Sequence, residues 1–401
     1  MRKSWIAAGL LAVGVVGSTG SQTPKPTYSN HTAGFIQKNC VSCHRAGGIA
    51  PFSLESYDQV KKFGPMIKKV VQSGSMPPWF AKDEPGKPTP WANDRSIPEA
   101  EKAKLASWVQ GGMPEGTRSQ TPKPKPFDPK WQIGKPDAVY QLANPTELPA
   151  DGVINYKYFD VPMNSTEDRY VDAVEVRPGD RTVVHHVLVF LVPDKPTGRG
   201  RGLSSLIDYF AIYVPGNGAV VYPKGYARFL PKDHHLRFQI HYTTSGKATK
   251  DQTSIAFRYA KEKPVNLVKT ASLVNFMFAI PPGAANFAVP VKQTMPSDMT
   301  IVSFLPHMHV RGKAARYELT TPEGDKKVIL DVPKYDFNWQ LQYDLKEPLL
   351  IKKGTKLEYT AWFDNSDKNP ANPNPKATVR WGEQTFEEMA LGYVVYVVPN
   401  K

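Results

Sequence analysis

The chain has 401 residues, which is too long for one small domain, so we expect about two or three domains. Apolar residues make up 40% and charged residues 22%, which is typical of a folded protein. The net charge is +14, but the lysines are scattered and form no long basic run, so the sequence does not indicate nucleic-acid binding. A basic surface of this kind could attract an anionic partner or a small anionic reductant.

The first twenty residues have the pattern of a signal peptide. Arg2 and Lys3 form a positive start, residues 5–16 are apolar, and small residues follow at 17–21. The apolar run is shorter than a good membrane span needs, so we expect no stable membrane insertion. We predict a periplasmic or secreted protein, and an uncleaved N-terminal tether is the alternative.

A hexapeptide, SQTPKP, occurs twice and divides the chain. Both copies are rich in Pro and Lys, which predicts stiff, solvated spacers. The boundaries that we predict for the N-terminal part are a signal peptide at 1–20, a linker at 21–27, a folded module at 28–118 and a second linker at 119–127.

The module at 28–118 has the signals of helices. Ser56 and Gln59 form a capping-box pattern. Ser96 is predicted to cap the last helix, and Gly111 to end it. We therefore predict a small all-α domain here.

Beyond residue 127 the sequence changes to short strands. Segments such as TVVHHVLVFLV, LRFQIHYTT and LGYVVYVV alternate or run apolar, are rich in Val, Tyr, Phe and Thr, and are separated by turn residues. A break in this pattern at 261–269 divides the region into halves of similar size. The predicted fold class is therefore multidomain: the all-α domain is followed by two all-β sandwich, jelly-roll-like domains at 128–262 and 263–401.

The two cysteines of the chain, Cys40 and Cys43, lie in the motif CVSCH. C-x-x-C-H is the attachment signature of c-type haem, in which both thiols bind the porphyrin and the adjacent histidine ligates iron. A thioredoxin-like redox pair is the alternative, but the flanks are predicted to be helical and show no βαβ pattern. The motif predicts one covalent haem c ligated by His44, which makes the all-α domain a cytochrome c domain.

A methionine is expected as the sixth iron ligand if this haem transfers electrons. The candidates are Met66, Met76 and Met113. We favour Met76, because Pro77 and Pro78 stiffen the loop that carries it. Packing under the next tryptophan is the alternative role for its side chain.

Five histidines of the β region lie in three apolar strands, which favours a metal site. His185 and His186 are adjacent, His241 is in mid-strand, and His307 and His309 are two apart and therefore on one face. Adjacent strand residues point to opposite faces, so a metal shared by the first pair would require a strand end or a bulge. A further pair of histidines in the turn PKDHHL is interpreted as structural.

Four segments of the β region give the sequence a resemblance to a known family. Residues 130–398 resemble the copper type II, ascorbate-dependent monooxygenases, the group of peptidylglycine α-hydroxylating monooxygenase and dopamine β-monooxygenase. The resemblance rests on VHHVLVF, FQIHYTT, PHMH and TFEEMALGYVVYV, in the order of the family. Together with the haem motif, the arrangement also resembles a group of bacterial multidomain cytochromes.

The resemblance implies two coppers, one in each sandwich, facing each other across a water-filled cleft. In the second of the two ligand sets given below, a soft thioether stands beside two imidazoles, which independently favours Cu(I) over zinc or a hard ion. Tyr393 matches a tyrosine near the substrate site of the family. The implied ligands are His185, His186 and His241 for an electron-transfer copper, and His307, His309 and Met389 for the catalytic copper that binds dioxygen.

The activity that the resemblance implies is O2-dependent hydroxylation of a C–H bond in a small substrate, with electrons relayed by the cytochrome domain from a redox partner protein or a small reductant. Leu305 and Leu391 stand where peptide-processing members carry an arginine and an asparagine, so we expect a more apolar substrate. One alternative is a non-hydroxylating periplasmic electron-transfer or copper-handling protein built on the same domains. Another is a β-rich binding module with incidental histidines.

Overall fold

The computed structural model describes residues 24–401, except 85, 125–129, 196–207, 216 and 218. The predicted signal peptide at 1–20, residues 21–23 of the first linker and residues 125–127 of the second lie outside the described residues. None of the helices in the described part of the chain combines the length and apolar character that a membrane span requires.

The described helices lie in the N-terminal module and at the start of the second linker. They are a π-helix at Tyr28–Thr32, α1 at Ala33–Asn39, α2 at Tyr57–Gln72, α3 at Glu99–Gln110 and a 3-10 helix at Arg118–Gln120. The predicted capping box is confirmed, because the Ser56 side chain accepts from the backbone N–H of Gln59 and the Gln59 side chain accepts from the backbone N–H of Ser56. Gly111 ends α3 as predicted.

The prediction that Ser96 caps the last helix is wrong. The residue before α3 is Pro98, which makes no side-chain cap. A proline restricts the residue before it to extended conformations, so the helix cannot begin as early as Ser96 predicts. Ser96 instead donates to the Asp94 carboxylate, from its backbone N–H at 2.7 Å and its hydroxyl at 3.0 Å.

The rest of the described chain is mostly β-sheet, which is consistent with the predicted sandwiches. The strands of the first half are β1 Ala138–Gln141, β2 Thr146–Leu148, β3 Lys157–Pro162, β4 Arg169–Arg177, β5 Val184–Pro193, β6 Ala211–Tyr213, β7 Val220–Val221, β8 Tyr226–Leu230, β9 His234–Tyr242, β10 Thr249–Asp251 and β11 Ser254–Tyr259. Those of the second half are β12 Asn266–Asn275, β13 Ala279–Ile280, β14 Phe287–Thr294, β15 Met299–His307, β16 Gly312–Thr320, β17 Lys326–Val332, β18 Tyr343–Ile351, β19 Lys356–Phe363, β20 Val379–Arg380 and β21 Ala390–Pro399.

The first half packs two antiparallel layers against each other. One layer has the strand order β3-β9-β5-β6, and the other begins β1-β11-β4-β8. Their inward-facing side chains form one apolar cluster, in which Val187 and Phe238 of the first layer meet Val174 and Phe257 of the second. Alternating apolar residues on two facing sheets are what a sandwich core requires.

The second half repeats this plan. The layer β14-β19-β16-β17 packs on the layer β12-β21-β15-β18. Tyr317 and Tyr359 of one layer, both fully buried, pack in the same cluster as Phe304 and Val394 of the other.

The two halves are joined through one sheet. β8 of the first half pairs in parallel with β12 of the second, so a single nine-stranded sheet runs across both. A further apolar cluster, which we call the junction core, includes Leu188 and Phe190 from the first half and Leu305, Leu391 and Tyr393 from the second. The shared sheet and the junction core fix the position of one half relative to the other.

The segment between α2 and α3 leaves the helical module and docks on the second half. Trp79 and Trp91 are buried in the core of that half, and both rings contact Tyr343. Backbone hydrogen bonds join Lys82 to Asp331 at 2.8 Å, and the backbone N–H of Ala92 donates to the carbonyl of Asp344 at 2.7 Å. The helical module is therefore attached to the β region by packing as well as by the chain that follows it.

Candidate metal centre and cofactor cavity

Three buried histidines of the first half come together. His185, His186 and His241 each offer one nitrogen, and these nitrogens lie within 4.8 Å of one another. The Nδ1 atoms of His185 and His186 are 3.1 Å apart. Two nitrogen ligands at about 2.0 Å from one ion stand roughly 3 Å apart, so this spacing fits a shared metal.

A backbone irregularity brings the adjacent pair to one side. β5 begins at Val184, and its pairing with β9 shifts register between Val184 and His186. The extra residue of a bulge re-aims its side chain, so His185 and His186 need not point to opposite faces. A metal shared by two adjacent strand residues requires a strand end or a bulge, and both features are present at His185 and His186. His241, on β9, is paired with His186 across the sheet.

The second pair of histidines lies at the end of β15. His307 is the last residue of that strand, and its Nδ1–H donates to the Gln340 side-chain oxygen at 2.6 Å. His309 follows the strand, and its Nδ1–H donates to the backbone carbonyl of Glu387 at 3.2 Å. Hydrogen bonds of this kind fix the orientation of an imidazole and leave Nε2 as the nitrogen that can bind a metal.

A buried carboxylate organises the backbone of this pair. Glu388 is fully buried and accepts from the backbone N–H groups of His309 at 2.8 Å and of Arg311 at 2.7 Å. Burial raises the pKa of Glu388 to about 8, although the backbone donors and the Arg311 charge act in the opposite direction. The antiparallel register pairs His307 with Leu391, and Met389, just before β21, packs against the junction core.

The two sets of histidines are in direct contact. The rings of His186 and His307 meet edge to face, with centroids 5.9 Å apart. Tyr156 contacts rings of both sets, since its centroid is 4.8 Å from that of His241 and 6.3 Å from that of His309. The expectation of a cleft between the two sets is wrong for this structure, because the shared sheet and the junction core hold the halves together.

Burial keeps these imidazoles neutral. It lowers the pKa of His185 to about 4, of His307 to about 4 and of His309 to about 3. The pKa of His241 falls to about 2 for the same reason, with further repulsion from His185. A neutral imidazole is the form that binds a metal ion.

Several buried nitrogens of the histidine cluster lack a hydrogen-bond partner within the protein, which favours a metal site over simple packing. Four of its buried nitrogens have no hydrogen-bond partner: Nε2 of His185, His186 and His309, and Nδ1 of His241. Buried polar atoms are nearly always satisfied, so unsatisfied imidazole nitrogens gathered in one cluster are consistent with a metal site to which each ring offers one of its two nitrogens. Imidazole nitrogens suit copper among other transition metals.

A second site lies beside the CVSCH motif. A cavity of about 600 Å³ is lined by Cys40, Cys43, His44 and Met76, and its far wall includes Arg181 and His185 of the first sandwich. This volume is in the range of small-molecule and cofactor sites. Both cysteines are free thiols, so they are available for haem attachment and do not form a disulfide.

Two of the predicted iron ligands, His44 and Met76, line this cavity. The Nδ1–H of His44 donates to the Phe52 carbonyl at 3.2 Å, which leaves Nε2 as the nitrogen that can bind a metal. Of the three candidate methionines, Met76 and Met66 line the cavity. Met113 is not among the lining residues and packs into the module core near Gly64.

Tyr393 lies deeper than a substrate-binding role would suggest. It is 1% exposed in the junction core, with its ring centroid 5.0 Å from Tyr209 and 6.4 Å from His307. Leu305 and Leu391 are buried in the same cluster. The apolar character of these two positions is therefore explained by the contact between the halves.

Sequence reasoning missed several residues that shape the site. Tyr156, Phe337 and Gln340 come from segments outside the site strands and carry no local signal. Glu388 could have been found, because it directly precedes the apolar run that begins at Met389, and a glutamate at such a position is buried only when it has partners. The pair in PKDHHL stands apart from the cluster: it begins β9, and Nδ1 of His235 lies 3.0 Å from the Asp194 carboxylate.

Comparison with known proteins bears on the second half above all. Residues 269–401 match the family model of the copper type II ascorbate-dependent monooxygenase, C-terminal domain. Human DBH-like monooxygenase protein 1 is 23% identical over 273 residues, which cover 59% of this chain. The match spans 43% of the length of that relative.

Two solved structures illustrate a weak overall likeness. The major capsid protein P2 of bacteriophage PM2 matches 66% of this chain and 98% of its own, at 10% identity and a TM-score of 0.28. PNGF-II matches 66% of this chain and 65% of its own, at 9% identity and a TM-score of 0.27. Such TM-scores carry no argument about this protein.

Proposed function

We propose that the protein is an exported, haem-containing copper monooxygenase that uses O2 to hydroxylate a C–H bond of a small, apolar substrate. The observation that carries the proposal is the buried cluster of His185, His186, His241, His307 and His309, with its orphaned nitrogens. The match of residues 269–401 to a copper monooxygenase domain supports an oxidoreductase. The signal-peptide pattern at 1–20 supports export.

Two coppers are proposed, in the sets His185/His186/His241 and His307/His309/Met389. Copper bound there would supply one-electron redox chemistry and a site for O2. The protein contributes the rest: Gln340 and the Glu387 carbonyl fix the tautomers of His307 and His309, and burial keeps the imidazoles unprotonated. Glu388 holds the backbone of His309, so that its ring keeps one position.

The helical module, proposed to extend over 28–118, would act as a cytochrome c domain. Its haem would be attached at Cys40 and Cys43 and ligated by His44 and Met76. Six-coordinate iron has no vacancy for a substrate, so this domain would deliver electrons one at a time. The donor would be a redox partner protein or a small reductant such as ascorbate.

Metal analysis combined with electron paramagnetic resonance tests the cofactors. We expect two coppers and one low-spin haem for each chain. The absence of stoichiometric copper would overturn the proposal and favour a β-rich binding module.

Oxygen consumption tests the activity. With substrate and reductant, the loaded protein should consume O2, and Met389→Ala should abolish this consumption. Met277→Ala is the matched control, because Met277 is 92% exposed. Full metal loading without O2 consumption across reductants and candidate substrates would favour the alternative, an electron-transfer or copper-handling protein.

A further inference from the structure

The cavity beside the CVSCH motif is not built by the helical module alone. Arg181, from the turn before β5, and Asn338, from the second half, line it together with Cys40 and Cys43. A cofactor attached to these two thiols would therefore contact all three parts of the described chain.

The wall of this cavity carries more positive than negative charge. The cationic side chains that line it are Lys38, Arg95 and Arg181. Among the described lining residues, one carboxylate, that of Asp94, opposes them. The Asp94 carboxylate already accepts both the backbone N–H and the hydroxyl of Ser96. An anionic ligand in the cavity would thus meet an excess of cations.

The guanidinium groups come from different parts of the fold. Arg95 follows the docked tryptophan segment and donates to the Asn217 side-chain oxygen at 3.2 Å. Burial lowers its pKa. A third guanidinium, that of Arg45, is buried nearby. Its pKa is lowered first by burial and then by repulsion from Arg181. Cations gathered in this way repel one another, and bound carboxylates would relieve the repulsion.

Haem brings two carboxylates of its own, the propionates. A carboxylate taken out of water needs charged hydrogen-bond donors. Arginine and lysine side chains both supply such donors, and a guanidinium can form two parallel hydrogen bonds with one carboxylate.

We propose that Arg181 and Arg95 bind the haem propionates, so that the first sandwich completes the cofactor site of the helical module. This inference rests on the proposed haem attachment at Cys40 and Cys43. It makes the haem a fixed bridge between the module and the β region, with His185 in the same cavity wall.

The experiment uses the full chain, expressed in a host that attaches c-type haem, and measures covalent haem content and the haem reduction potential. The variants are Arg181→Gln, Arg181→Lys and the control Arg169→Gln. Arg169 belongs to the same sandwich, and its side chain is 43% exposed and paired with Glu167. A nearby cation favours ferrous haem, so its removal should make reduction harder.

For Arg181→Gln we expect the equilibrium constant for haem reduction to fall by about tenfold, which is 59 mV for one electron. Arg181→Lys should restore most of the difference, and Arg169→Gln should match the parent. Loss of haem from Arg181→Gln but not from Arg181→Lys would equally support the proposal.

A potential of Arg181→Gln equal to that of the control would overturn the inference while leaving the proposed function intact. Equal loss of haem from Arg181→Gln and Arg181→Lys would also overturn it, because charge would not be the cause. A parent protein without covalent haem would instead overturn the cytochrome part of the proposed function.

Discussion

His186 of the first sandwich and His307 of the second meet edge to face, with ring centroids 5.9 Å apart and exposures of 1% and 4%. They belong to strands that are about 120 residues apart in the chain. Their contact unites the two histidine sets into one buried cluster, so that a change on either side should be felt by both.

The first prediction concerns copper. His186→Ala removes one proposed ligand and opens space at the contact with His307, so the chain should lose one copper and bind the second less tightly. Because a ligand that binds only the folded state stabilises it, copper should also raise the melting temperature of this variant less than that of the parent. Metal analysis and thermal unfolding check this. His234→Ala, outside the cluster, should behave as the parent.

The second prediction concerns pH in the copper-free protein. Burial lowers the pKa of His185 and His307 to about 4, against an ordinary value of 6.5. Below pH 6.5 the unfolded chain therefore binds more protons than the folded chain, and the free energy of unfolding should fall as the pH falls from about 6.5 to about 4. Urea unfolding across this range measures the slope.

Removing one of these histidines should flatten that slope. His185→Gln should lose stability less steeply with acidification than the parent does. If His185→Gln had the same slope as the parent, the imidazole of His185 would titrate alike in the folded and unfolded states.

The third prediction concerns Glu388. Glu388→Ala leaves the buried N–H groups of His309 and Arg311 without acceptors, and each unsatisfied group costs about 1–3 kcal/mol. The Arg311 side chain keeps its hydrogen bonds to the Asn365 oxygen and the Phe386 carbonyl, both at 2.9 Å. Chemical unfolding should show a large loss of stability, together with weaker copper binding at His309. Glu323→Ala, at an exposed turn, is the control and should change little.

The fourth prediction concerns the docked segment. Trp91 is 2% exposed in the core of the second sandwich, and truncation of a buried aromatic residue costs about 3–5 kcal/mol. Trp91→Ala should therefore destabilise that sandwich and loosen the helical module. Urea unfolding and limited proteolysis between residues 72 and 99 measure the two effects. Leu350→Ala, at a position 54% exposed, should leave both unchanged.

The amino-acid sequence by itself determined the local chemistry. CVSCH requires no tertiary information, because its two thiols and His44 are held by one short turn. The strands around His185, His241 and His307 follow from their apolar, β-branched composition. The capping box at Ser56 is likewise local, whereas the cap at Ser96 failed because Pro98, two residues on, overrides it.

Only the tertiary structure decided how these pieces meet. The parallel pairing of β8 with β12 and the packing of Leu305, Leu391 and Tyr393 between the halves close the distance between the two histidine sets. The burial of Trp79 and Trp91 attaches the helical module to the β region, and the CVSCH segment shares a cavity with Arg181 and His185. Such contacts join residues far apart in the chain, and periodicity reports only which face of an element is apolar, not which other face will cover it.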